Sequence, residues 1–182
     1  MMGKIFLRIY AQPLYLVLIE MILLIILWAW FKNKYGKRLW WKLFNSAVFV
    51  IVILAILYST VYSRTENFQA PMFIPFHSFY QAKTEPEIYR SMLMNIFLFE
   101  PIGLSLPNIL PNKAHPVATT VIIAMLLSVF VEATQYYFCL GRCEIDDVIM
   151  NTLGAAIGGI AYGNRLRKIL ERFRTNGIHI QL

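Results

Sequence analysis

Apolar positions in this chain come as long runs rather than as stripes with a period of two or 3.6. The first run, Leu14 to Phe31, is interrupted by one acid, Glu20. A helix crossing hydrocarbon needs about 20 mostly apolar residues. The run is too long and too far along the chain for a signal-peptide core. Trp28, Trp30, Phe31 and then lysines follow it, not a small-residue cleavage site, so a retained helix is expected. The second run, Phe44 to Tyr62, has no charge, and Trp40, Trp41, Tyr58 and Tyr62 flank it as an interfacial aromatic belt does.

The third run, Leu93 to Leu110, contains Asn95, Glu100, Pro101, Gly103 and Pro107. Pro101 removes a backbone donor and crowds the preceding turn, which predicts a kinked or broken helix packed against its neighbours. The fourth run, Pro116 to Phe138, carries Ser128, Glu132 and Gln135 late in its course. The fifth, Val148 to Gly163, is short unless Asp146 and Asp147 begin it. Between the second and third runs, Pro71, Pro75 and Pro86 oppose one continuous helix. Phe73, Ile74, Phe76, Phe79 and Tyr80 are too apolar for a solvated loop. Residues 63–90 therefore read as a segment lying on the membrane surface or dipping partly into it. No internal repeat is present.

Composition agrees. The chain is 58% apolar and 15% charged, with a mean hydropathy of +0.57, where about 45–50% apolar and about 25% charged is usual. That excludes a disordered chain and leaves too much apolar surface for a soluble domain. The expected fold is all-α: a polytopic integral membrane helical bundle of about five transmembrane helices with a kinked third helix, one domain over residues 1–182.

The net charge of +7 would suggest nucleic acid in a soluble protein. Here the cations lie in two blocks beside apolar runs: Lys32, Lys34, Lys37, Arg38, Lys42, and Arg165, Arg167, Lys168, Arg172, Arg174. That placement fits cytoplasmic loops facing anionic lipid, so no nucleic-acid partner is expected. With five spans, the Lys/Arg bias puts the N-terminus outside and residues 165–182 inside as a basic cytoplasmic tail. Lys4, Arg8 and Glu20 pull against that orientation. Cys139 and Cys143 fit either a small disulfide loop or two separate thiols, the second being the simpler. His77, His115 and His179 have no ligand spacing to them, and neither a metal nor a cofactor is expected.

The candidate chemistry gathers late in the chain. Ser128, Glu132 and Gln135 share a face of the fourth helix, at spacings of four and three. Asp147 and Asn151 share a face of the fifth, continued by Gly154 and Gly158. A short link containing Arg142 predicts antiparallel packing of these two helices. Glu132, Gln135, Arg142, Asp146, Asp147 and Asn151 then form one polar patch at the outer surface. Two readings stand. Arg142 pairs with an aspartate and Asp146 or Asp147 caps the fifth helix, or the patch is a ligand site. The depth of Glu132 favours the second. Asn95 is suited to cross-linking helices by hydrogen bonds. The glycine stripe suits a homo-oligomer face or packing within one chain. HExxH, a Gly-rich phosphate loop and a nucleophile with a base are all missing, so no catalytic residue is assigned.

The order PMFIPFHSF, NIFLFEPIGLSLP, SVFVEATQ, GR and IDDVIMNTLGAAIG resembles the VanZ-like membrane proteins over about residues 45–163. The resemblance falls on Pro75, Phe76, Asn95, Phe99, Pro101, Gly103, Glu132, Gln135, Arg142, Asp146, Asp147, Asn151, Gly154 and Gly158. Glu100 departs from it, standing where the family usually has an apolar residue. The resemblance implies a bacterial cytoplasmic-membrane protein and a link to resistance against teicoplanin, a lipid-tailed glycopeptide. The reading that follows is a non-enzymatic envelope factor with membrane lipids as partners. It binds a lipid-linked envelope precursor or a lipoglycopeptide through Glu132, Gln135, Arg142, Asp146, Asp147, Asn151 and Asn95, while Pro75, Phe76, Pro101, Gly103, Gly154 and Gly158 shape the frame. An intramembrane enzyme acting on an envelope lipid through Glu132 and the aspartates, with or without a divalent ion, is the first alternative. A lipid transporter is the second, although five helices without a repeat are few for alternating access.

Overall fold

A computed structural model describes residues 13–36, 39–110 and 115–162. The basic tail at 165–182, Lys4, Arg8, Lys37 and Arg38 lie outside the described residues. Six α-helices are present among them: α1 Leu14–Tyr35, α2 Leu39–Leu57, α3 His77–Gln81, α4 Glu87–Ile109, α5 Pro116–Tyr137 and α6 Ile145–Ile160. The end of α2 widens into a π turn, Tyr58–Tyr62. The chain is thus an all-helical bundle, and the extended pairing among the described residues is a single bridge between Met72 and Glu144.

Four of these helices are long and apolar enough to cross a membrane: α1, α2 with its π turn, α4 and α5. The expected fifth, α6, has 16 residues, which at about 1.5 Å per residue is short of the hydrocarbon thickness. It still runs from end to end. Its start pairs with Met72, where Ile145 N–H donates to the Met72 carbonyl at 3.0 Å. Its far end receives a bond from Lys32, whose Nζ donates to the Tyr162 carbonyl. A short helix suffices there because α4 and α5 enclose much of it.

The closest packing is between α4 and α6. A Cβ on Gly154 would fall on the Ile96 carbonyl oxygen, and one on Gly158 on the Glu100 carbonyl oxygen. A Cβ on Gly103 would meet the Ala155 carbonyl oxygen and, at 2.7 Å, the Gly159 nitrogen. Small residues let the two backbones touch, and dispersion over that contact replaces the hydrophobic drive that lipid removes. The glycine stripe is therefore taken up within the chain, which leaves no room there for a second copy.

The third span is not broken. α4 is continuous through Pro101 and Pro107. Ser105 Oγ donates to the Pro101 carbonyl at 2.7 Å and Asn108 Nδ2 to the Leu104 carbonyl at 2.7 Å. Phe99, Ile102 and Leu106 meet Ile56 of α2, Ala124 and Val131 of α5 and Ala155 of α6 in the main core. Val17 and Met21 of α1 pack on Met94. Trp41 is buried, and its indole donates to Asn108 Oδ1 at 3.3 Å, so it belongs to the bundle rather than to an aromatic belt.

Two connections close one end of the bundle. Residues 63–76 run along the 138–144 link, held by Asn67 N–H to the Cys139 carbonyl (2.7 Å) and Met72 N–H to the Cys143 carbonyl (2.9 Å). The segment does not re-enter the bundle. It lies across the end, leads into α3, and leaves Phe73, Ile74, Phe76 and Tyr80 exposed.

Candidate functional site

The sequence-picked polar residues meet at this closed end, but they divide into two groups. The first is buried and tied to the chain. Asp146 is 2% exposed. Its Oδ1 accepts the Phe76 amide at 2.6 Å and its Oδ2 the Ser78 amide at 2.7 Å. Phe76 has a left-handed backbone, with φ of 64°, which costs a non-glycine residue about 1–2 kcal/mol. That turn points the Phe76 and Ser78 amides at one carboxylate, while the His77 amide between them donates to the Ile74 carbonyl. Asp146 therefore holds the start of α3, and α6 begins from Glu144 without a side-chain cap. Pro75 fixes the approach to the turn.

Glu132 Oε2 accepts the Glu144 amide at 3.0 Å. Gln135 Nε2 donates to the Thr60 carbonyl at 2.8 Å and so ties α5 to the π turn. Asn151 Nδ2 donates to Ser128 Oγ at 2.8 Å, linking α6 to α5. These contacts join five segments into one layer. They satisfy groups that would cost several kcal/mol each if left alone in hydrocarbon.

The second group faces an open cleft of about 410 Å³ above that layer. Arg64, Arg142, Glu144 and Asp147 supply its charges, and Asn67, Gln69 and Ser91 are among its neutral polar groups. Arg142 lies 3.7 Å from Glu144 Oε1 through Nε, an ion-pair distance too long for a hydrogen bond. That Nε is buried and donates to nothing. The partner is thus Glu144 rather than an aspartate. Gly141 has φ of +145°, and a Cβ there would stand 2.9 Å from Arg64 Nη1. Only glycine combines that backbone with space for the guanidinium. Asn95 stands beside Asp147, its side chain bearing on that carboxylate.

Of the residues singled out in the sequence, Arg142 and Asp147 line the cleft and Asn95 borders it. Glu132, Gln135, Asp146 and Asn151 lie in the buried layer beneath. Arg64 and Glu144 were not singled out. Arg64 sits in a proline-rich connection with no carboxylate at helical spacing, and only its place just after an uncharged span hinted at an interfacial cation. Glu144 reads as one more acid in a run of three.

Glu132, Asp146 and Asp147 do not form a metal cluster. Among the described residues no three His, Cys, Asp or Glu side chains are placed to share a metal ion. Cys139 and Cys143 are both free thiols. Burial, and then the nearby Glu132 and Asp147 carboxylates, push the Cys143 thiol above its usual range. Far from the cleft along α4, Glu100 is fully buried and neither carboxyl oxygen has a hydrogen-bond partner.

Comparison with known proteins agrees with the motif order. The VanZ/LLP1 family model matches residues 43–166. Protein VanZ of Enterococcus faecium is 33% identical over 81 residues, covering 41% of this chain and 45% of that protein. The match thus spans under half of the relative's length. No solved structure matches. The chain belongs to the VanZ/LLP1 family.

Proposed function

We propose that this multi-pass membrane protein of the VanZ/LLP1 family binds a lipid-linked or amphiphilic molecule in the Arg64–Arg142 cleft. By doing so it acts as an accessory factor in glycopeptide (teicoplanin-type) resistance or envelope homeostasis. One observation carries the reading: Arg64 and Arg142 both line an open polar cleft, where Arg142 is held by no more than an ion pair to Glu144 at 3.7 Å. A guanidinium held only by a loose ion pair at a closed helix-bundle end is the residue type and place for anion recognition.

The membrane is the bacterial cytoplasmic one, with the N-terminus and the cleft outside and the C-terminus inside. The Lys/Arg bias of the loops supports that orientation. The apolar rim of Phe73, Ile74 and Phe76 beside the closed end suits the outer interface. Glu132 and Asp146, which an enzyme reading would use as acid and base, already accept backbone amides, and this favours binding over turnover. A bound lipid-tailed antibiotic or its lipid-linked target would be withheld from the surface.

The test is teicoplanin susceptibility of a sensitive bacterium expressing wild type or the Arg64→Ala/Arg142→Ala variant at equal membrane level. Protection by wild type and its loss in the variant is the expected result. Equal protection by both would overturn the site.

A further inference from the structure

The charges of the cleft specify more than an anion. Two guanidiniums, Arg64 and Arg142, and two carboxylates, Glu144 and Asp147, line the same space. Their formal charges cancel. A purely anionic ligand would satisfy the arginines but set like charge against Glu144 and Asp147. A purely cationic one would do the reverse. Either mismatch opposes binding. A ligand that carries both signs a few bonds apart meets all four groups. The Arg142 side chain, 31% exposed, stands with Arg64 on the cleft wall to meet its anion.

We propose that the cleft recognises a zwitterionic phosphate–amine headgroup of the phosphoethanolamine class, phosphate toward Arg64 and Arg142 and ammonium toward Asp147 and Glu144. This rests on the cleft being the ligand site.

Three further observations narrow the class. No aromatic ring is among the residues lining the cleft. A quaternary ammonium is held by aromatic faces, whereas a primary ammonium donates N–H bonds to carboxylates and carbonyl oxygens such as those supplied here. That favours phosphoethanolamine over phosphocholine. The volume of about 410 Å³ falls within the usual range of about 300–1,000 Å³ for small-ligand sites and suits one headgroup rather than a glycopeptide scaffold. The rim beside it exposes Phe73 (66%), Ile74 (61%) and Tyr80 (70%), apolar surface that sits naturally against acyl chains while the headgroup enters the cleft.

The test is native mass spectrometry of the full chain released from nanodiscs holding equal phosphatidylethanolamine, phosphatidylglycerol and phosphatidylcholine. Wild type is expected to retain phosphatidylethanolamine over each of the others by about tenfold, the size of one charge-assisted bond. In Asp147→Asn/Glu144→Gln the preference over phosphatidylglycerol should vanish or invert while phosphate-bearing lipid is still held. In Arg64→Ala/Arg142→Ala all selective retention should go. Soluble glycerophosphoethanolamine separates the two sources of this chemistry. Displacement of bound lipid by it supports recognition of the headgroup itself, free or lipid-borne. Retention against it, with the same selectivity, supports a membrane lipid whose chains contribute. Phosphatidylglycerol retained as well as phosphatidylethanolamine, with loss in the arginine variant, overturns the zwitterion and leaves the cleft as an anion site. Lipid retention indifferent to both arginines overturns the zwitterion and the site together. Gel filtration of each variant in detergent establishes that the compared proteins are folded.

Discussion

Beneath the cleft, Glu132, Gln135, Asp146 and Asn151 each bond to another group of the chain, at 2.6–3.0 Å. Around the cleft, one turn of helix away, Arg142 makes a loose ion pair and its Nε is unused. Both sets are polar, both lie at the same bundle end, and Arg142, Glu144 and Asp147 of the cleft come from the same stretch of sequence as the buried set. The difference is what completes them. The buried set is tied to the chain by backbone amides, a carbonyl and a hydroxyl, with Asn151 Oδ1 alone among these four residues' side-chain atoms buried and unpartnered, so it holds the frame. The cleft set is left open to what arrives from outside. Hydrogen bonds made to other segments of the chain therefore separate frame from site where residue type does not.

The comparison breaks first at the glycine contact below both groups. Gly154→Leu or Gly158→Leu forces α4 and α6 apart along a backbone contact, and no folded monomer should survive detergent extraction and gel filtration. Next is the frame itself. Asp146→Ala leaves the Phe76 and Ser78 amides without an acceptor, at a cost of about 3 kcal/mol or more. A thermal melt in detergent should fall by several degrees, with part recovered in Asp146→Asn, which keeps one acceptor oxygen. Unchanged melting of Asp146→Ala would place that residue with the cleft instead.

Glu100 sharpens the comparison from the other side. It is as buried as the frame residues, and neither of its carboxyl oxygens has a partner. Removing an unsatisfied buried group should stabilise, so Glu100→Met is expected to raise the melting temperature, by the equivalent of about 1–3 kcal/mol. A lower melting temperature would show that the carboxyl has a role in the frame. The smallest effect is at Cys143. Its raised thiol keeps the thiolate scarce at neutral pH, and thiolate is the reactive form. Maleimide labelling in Cys139→Ser should be slow at pH 7 and speed up continuously past pH 9. Fast labelling at pH 7 would contradict that environment.

Much of this was legible in the runs themselves. Lengths of apolar sequence located α1, α2, α4 and α5, because a helix in lipid announces itself by length alone. Gly154 and Gly158 announced a close contact, though not that the partner is α4 rather than another copy. Asp146 and Asp147 are neighbours in sequence, and helical geometry sends neighbours about 100° apart. One entered the frame and the other the cleft, a division that spacing along one helix does not reveal without the position of Phe76. Arg64 stayed hidden for the same reason. Its place beside Gly141 depends on how residues 63–76 lie along the 138–144 link, a pairing without sequence period. The unbroken course of α4 through Pro101 was also unreadable, since the residues around it, Phe99 and Ile102, are packed against α2, α5 and α6.

The separation of frame from site is tested most directly by melting the purified Arg64→Ala/Arg142→Ala protein beside wild type and Asp146→Ala in one detergent. The account predicts a melting temperature close to wild type for the arginine variant, in a protein that no longer protects cells from teicoplanin. A drop as large as that of Asp146→Ala would show that the arginines hold the fold, and would contradict a cleft built for a ligand.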